Sequence, residues 1–369
     1  MAFPQNYTKF DTVIINHSLV GSGGVTNFDF WLPVSLMSDQ AQATMRSDGG
    51  DVRFTLNDDV TQLATDAICN TSGSVIGFRV NVPTLHDDQL NTIKAWYNGT
   101  DTLPAASSTY GAFHAYDSDT IGYWPMVEDL SVSSTLQDRT VNQLHGVVAG
   151  TFASGDTTSD GIVFDGTQEI VVPNTGGVLD AGSGDLTVEA QIKSTTSGSV
   201  YRTIAGTWPD ASIKGVLLSY TDAETFNTEV NQTSSIGAIY FRQDTINDGN
   251  LKYLCSTYQS SSGQAFGYVN NATGPTHFDN DRTGLDWASG ENLVIAGQVY
   301  NKSPFIGTIG RMRWDRILRS AAWRTTRYNN ESNPQMFVSG CVSGENLQST
   351  GNNRKFPVIG SSIIRKVIL

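Results

Sequence analysis

The sequence predicts an all-β protein of two β-sandwich domains followed by a short C-terminal extension. Three observations carry that prediction. Short runs rich in β-branched and aromatic residues recur through the first hundred positions and are broken by glycine-rich turns. The 36 glycines and abundant Ser, Thr and Asn supply turn residues throughout. At 369 residues with 38% hydrophobic content, the chain is too long for one ordinary domain and apolar enough to build real cores.

The first domain is expected over 1–103. Its strands are read at Thr12 to Ile15, Phe28 to Leu32, Val52 to Thr55, Phe78 to Val82 and Thr92 to Tyr97. Between them lie turn signals such as Gly21-Ser22-Gly23-Gly24, Ser47-Asp48-Gly49-Gly50-Asp51 and Asn98-Gly99. One short helix is expected from Ser38 to Arg46, ahead of the glycine turn. A Ser/Ala-rich linker, 104–113, separates this unit from a second domain over 114–338. Residues 339–369 lie beyond it.

Four landmarks in the first domain occur in a recognisable order: Phe28 to Val34, Ser47 to Thr55, Phe78 to Leu85, and Trp96-Tyr97-Asn98-Gly99. Together they resemble a β-sandwich domain of unknown function that commonly precedes laminin-G-like modules. The second domain carries Ile121 to Met126, Leu136-Gln137-Asp138-Arg139-Thr140, His145-Gly146 and Leu186 to Ile192. It closes with Phe305 to Ile309, then Arg319-Ser320-Ala321-Ala322-Trp323 and Tyr328-Asn329-Asn330. That set resembles the concanavalin A-like, laminin-G-like jelly roll. The pairing resembles bacterial surface and phage virion proteins, whose modules of this kind usually bind or build. The resemblance implies a Ca²⁺ ligand at Asp138. The second acidic pair expected of the family is replaced here by Gly310 and Arg311, and an arginine there opposes a cation. The alternative role of Asp138 is a plain turn residue. Asp48 and Asp51 are read mainly as turn caps.

Catalytic patterns are missing. Retaining glycosidases need two carboxylates about 5–5.5 Å apart, which one strand supplies at i and i+4. Glu189 has Lys193 at that position, and no Gly-x-Ser-x-Gly elbow occurs. His17, His86, His114, His145 and His277 are scattered among ordinary turn and strand residues. The expectation is a protein that is not an enzyme. Glycan binding would need aromatic faces near loops, and the candidates are Trp208, Tyr220, Tyr258, Trp287 and Tyr300.

A net charge of −13 argues against general nucleic-acid binding. No apolar run is long enough for a transmembrane helix, and the N-terminus lacks the pattern of a secretory signal. Three widely spaced cysteines, Cys69, Cys255 and Cys341, read as reduced thiols rather than a disulfide framework. Positive charge concentrates at Arg311, Arg313, Arg316, Arg319, Arg324 and Arg327, with Asp315 the single acid among them. This run suits either docking to an acidic partner or a solvated helix face. Residues 339–369 are expected to pair with something, either closing a sheet of this chain or adding a strand to a neighbour, and the reading preferred is a docking tail with Ile363, Ile364, Val367, Ile368 and Leu369 as its apolar end and Arg365 and Lys366 as its charges. Its partners would be other virion proteins or further copies of this chain.

The functional expectation is a non-enzymatic phage virion structural protein, a head-decoration, fibre or tail adhesion subunit. It would assemble in a host cytoplasm and take a glycan as ligand. The alternatives are a carbohydrate-binding adhesin of a bacterial cell surface and a polysaccharide-active enzyme on a lectin-like fold.

Overall fold

The computed structural model describes residues 6–180, 182, 184–196, 200–207, 215–221, 225–231, 238–240, 246–273, 290–299 and 302–346. They form a nearly all-β protein of two sandwiches. In the first, strands Lys9–Ile15, Asn91–Tyr97, Arg53–Leu56 and Gln62–Leu63 lie side by side in one sheet. Strands Val25–Pro33, Val75–Leu85 and Thr65–Cys69 form the facing sheet. Alternation sets the core: Val13 and Ile15, Phe28 and Phe30, Phe78, Val80 and Val82 all point inward and are buried. The expected helix is Asp39–Thr44, capped by the Ser38 side chain accepting from the Ala41 N–H.

The second sandwich has larger sheets. One runs Gly161–Phe164, Gly307–Asp315, Leu186–Lys193, Lys252–Gln259, Gln264–Val269, with Thr120–Trp124 also paired to Gly307–Asp315. The other includes Gly215–Thr221, Arg202–Gly206, Leu293–Ile295, Glu169–Val172 and Gly146–Ala149 in that order. Trp124, Trp314, Phe164, Val188 and Ile192 lie in the core between them.

The first part of the C-terminal segment closes a sheet of this chain and is not a free docking arm. Strand Val338–Glu345 pairs antiparallel with Lys9–Ile15, from Lys9 opposite Glu345 to Ile15 opposite Val338, and so becomes the edge of the first sandwich. The physical reason is that Lys9–Ile15 would otherwise be an unpaired edge, and a neighbouring strand satisfies its backbone groups. The apolar end Ile363 to Leu369, with Arg365 and Lys366, lies outside the described residues.

Helix Ala321–Ser332 also belongs to both halves. It follows the closing strand of the second sandwich, yet Trp323 packs in the core of the first with Phe28, at a ring separation of 5.7 Å. Asn330 clamps the first sandwich directly: its Oδ1 accepts from the Trp31 N–H at 2.7 Å and its Nδ2 donates to the Trp31 carbonyl at 2.9 Å. Gly21 makes this approach feasible, because a Cβ there would stand 2.3 Å from the Ala322 backbone oxygen. The three cysteines are free, Cys255 buried and the other two half-buried.

Candidate functional site

The arginine run turns mostly inward, with Arg316 exposed and Arg311 and Arg324 partly buried. Arg313, Arg319 and Arg327 are buried where the two sandwiches meet. Alternation along Gly307–Asp315 sends Arg311, Arg313 and Asp315 to one face, and helix Ala321–Ser332 lays Arg327 and Glu331 over it at i and i+4. The first sandwich contributes Asp29 and Arg79, which are fully buried.

In this seam each guanidinium meets a carboxylate. Arg313 Nη1 donates to Asp29 at 2.7 Å and its Nε to Asp315 at 2.9 Å. Arg327 donates to Asp29 as well. Arg79 and Arg311 reach Glu331 at 2.5 and 2.6 Å. Arg319 joins Asp315 at 3.0 Å to Asp117 at 2.6 Å. Burial would raise the Asp29 pKa, but Arg313, Arg327 and Arg79 outweigh it and hold the carboxyl well below the usual range. Glu331 behaves alike: burial opposes ionisation, and Arg79, Arg311 and Arg327 bring it down to about 2. Trp31 and Trp323 provide π-faces for these cations, with Arg311 4.4 Å from the Trp31 ring centroid and Arg327 4.5 Å from that of Trp323.

Two grooves open on the same interface. The first has a volume of about 630 Å³. Its first-sandwich wall is Ile68, Asn70, Thr71 and Ile76; the opposite wall carries Val127, Thr157 to Asp160, Gln191 and Leu251. Arg311 and Glu331 form its inner end. Every charge in it is matched: Asp160 pairs with Lys193 at 2.9 Å and Arg311 with Glu331. The Asn70 Oδ1 is used by the Ser72 and Ser74 N–H groups. The hydroxyls of Thr71 and Ser159 and the Gln191 amide have no partner among the described residues. The groove is therefore neutral, half apolar and supplied with free hydroxyl and amide groups. The second groove, about 620 Å³, is more polar and is lined by His86, His114, Asp117, Asp119 and Arg319 among others. Burial, then the Asp117 charge, raises the Asp119 carboxyl.

The residues named as ligand candidates fall elsewhere. Asp138 is buried and accepts from the N–H groups of Tyr123, Thr140 and Leu144 and from the Thr140 hydroxyl, at 2.8 to 3.0 Å. Burial raises its pKa despite those donors. Its oxygens organise a turn, and a cation there would confront four N–H and O–H dipoles. His145 supports the same turn, its Nδ1 accepting from the Asp138 N–H at 3.1 Å. Among the described residues no group of three or more His, Cys, Asp or Glu is placed to hold a metal ion. Asp48 and Asp51 cap backbone N–H groups of Gly50, Arg46 and Asn98.

Tyr220 and Tyr258 are corrections: both are buried in the second core, and neither can stack on a sugar. Tyr220 lies edge-on to Phe305 and bonds the Ser194 hydroxyl at 3.0 Å. The signal was available, since Val216, Leu218 and Tyr220 alternate on one face of their strand. Trp208, Trp287 and Tyr300 lie outside the described residues. Glu189 is also no cleft acid; it is buried under the arginines of the seam.

Neither protein-family models nor curated proteins match this chain. Solved structures do. The CBM40 of Ruminococcus gnavus IT-sialidase, bound to α2,3-sialyllactose, is 15% identical over 38% of this chain and 80% of its own, with a TM-score of 0.34. The receptor-binding domain of botulinum neurotoxin C/D mosaic serotype is 10% identical, covering 58% of this chain and 51% of its own, with a TM-score of 0.43. For the serotype D binding domain the values are 10%, 60%, 53% and 0.44. The chain thus spans little more than half the length of those toxin domains. These likenesses are distant, and the all-β architecture stands on the chain's own sheets.

Proposed function

We propose that the protein is a non-catalytic glycan-binding structural protein whose ligand lies in the neutral groove between the sandwiches. The observation that carries this reading is the groove's make-up. It offers free hydroxyl and amide groups beside apolar patches, at a domain junction where ligand sites concentrate. A pyranose presents the complementary surface, hydroxyls at its rim and C–H groups on its faces. Because each groove charge is already paired, the ligand class is a neutral oligosaccharide rather than an acidic one. The groove's carboxylates among the described residues, Glu331 and Asp160, are held by Arg311 and Lys193, which supports the non-catalytic reading.

We further read the chain as a virion component, a decoration, fibre or adhesion subunit. The resemblance of its domain pair to phage proteins supports this, as does a junction locked by buried ion pairs, which suits a load-bearing part. Mass spectrometry of purified particles should find it in many copies; its absence from particles and presence in host envelopes would favour the adhesin.

The groove itself is tested by titrating neutral and sialylated oligosaccharides into the wild-type protein and into Gln191→Ala and Thr71→Ala. Neutral sugars should bind and the variants should weaken them. Equal affinity in wild type and variants would move the site elsewhere, and release of new reducing ends would overturn the non-enzyme reading.

A further inference from the structure

Glu189 is the seam carboxylate left without a close partner. The five guanidinium groups of Arg79, Arg311, Arg313, Arg319 and Arg327 are each engaged by Asp29, Asp117, Asp315 or Glu331. Glu189 Oε2 stands 4.0 Å from Arg327 Nε, beyond hydrogen-bond reach. Among the described residues no well-formed hydrogen bond reaches its Oε1 or Arg327 Nε, and the Tyr253 hydroxyl is the polar group facing the carboxylate. All three residues line one small recess of about 20 Å³ that also touches Gln191 and Arg311 of the groove, room for a single water molecule with several polar contacts.

We propose that Glu189, with Tyr253 and one water molecule, forms a proton-binding site in the folded seam. The surroundings are these. On the neighbouring strands, Arg313 and Asp315 stand on one side and Tyr253 and Cys255 on the other. The helix above brings Arg327 and Glu331, and Tyr123 lines the same cavity. From the first sandwich come Asp29 and Arg79, facing these arginines. Burial raises the Glu189 carboxyl from its ordinary value to about 7, against the pull of Arg327 and Arg313. Burial also raises Tyr253 and Cys255, which stay neutral through this range, while Asp29 and Glu331 stay ionised.

The sign follows from proton counts. Between the unfolded value of 4.5 and about 7, the folded chain holds a proton at Glu189 that the unfolded chain has released. This contribution to stability is complete below pH 4.5 and is lost as pH rises through 7. Acidification therefore tightens the junction.

The test is urea unfolding of the full chain and of Glu189→Gln, which mimics the protonated form, at pH 5 and pH 8. Glu128, Asp138, Asp119 and Glu229 are also raised by burial, so the difference between the two proteins is what counts. The unfolding constant of the wild type should rise on going to pH 8 by about 100-fold more than that of the variant. Parallel pH profiles would overturn the proposal, as would a variant weakened more at pH 8 than at pH 5. Carbon-13 titration of glutamate carboxyls in the wild-type chain gives a second readout, independent of whether the variant folds. A midpoint near pH 7 is expected, and no glutamate titrating above pH 6 would sink the idea.

Discussion

The seam and the neutral groove belong to one interface and share Arg311 and Glu331, yet they do opposite work. In the seam, Asp29, Asp315 and Glu331 are buried with the arginines they pair with. In the groove, the same kind of pairing sits at the edge of solvent, where Asp160 and Lys193 are both partly exposed and contribute little to stability. The difference teaches that charge holds this junction together where it is buried, and that at the solvent edge paired charges leave the uncharged groups as the ones free to bond.

The sharpest way to break the comparison is Asp29→Ala. It would strand Arg313 and Arg327 without their buried carboxylate, and a loss of about 3–5 kcal/mol in urea unfolding is expected. A loss below about 1 kcal/mol would mean that the seam is wetter than described. Trp323→Ala should follow at about 3 kcal/mol, since it empties a core position and removes a ring over which Arg313, Arg319 and Arg327 lie. Asp138→Ala should cost about 1–3 kcal/mol by orphaning buried N–H groups, and EDTA should not move the melting temperature of the wild type. An EDTA-sensitive transition abolished by that substitution would restore the calcium reading. On the groove side, Gln191→Ala should weaken a neutral oligosaccharide several-fold. Its unfolding free energy should change by less than about 1 kcal/mol, because the amide has no partner among the described residues to strand.

Much of the first sandwich was legible because its strands are short, alternating and punctuated by glycine: the observed Val75–Leu85 and Asn91–Tyr97 contain the expected runs. The seam was not. Asp29 and Arg313 are 284 positions apart, and nothing local in either strand marks them as partners. The run of arginines was visible as charge, but its destination depends on which face of Gly307–Asp315 is roofed by the helix. The Tyr328-Asn329-Asn330 run was recognisable as a motif while its purpose, holding the Trp31 backbone through Asn330, required the fold. The groove's Thr71 and Gln191 were invisible for the same reason, as ordinary residues on separate domains.

Strand Val338–Glu345 also governs when the protein can be finished. During synthesis the first-made sandwich emerges with Lys9–Ile15 lacking a neighbour on one side and its core lacking Trp323 and Phe337. More than two hundred residues of the second sandwich must be made before those pieces arrive. The half that leaves the ribosome first is thus the half that closes last, by contacts of very large sequence separation, which fold slowly. The partner strand ends beside Thr8, where the Asn346 N–H donates to its carbonyl at 2.8 Å, so a pairing about 340 positions long in sequence holds the edge of the first sandwich.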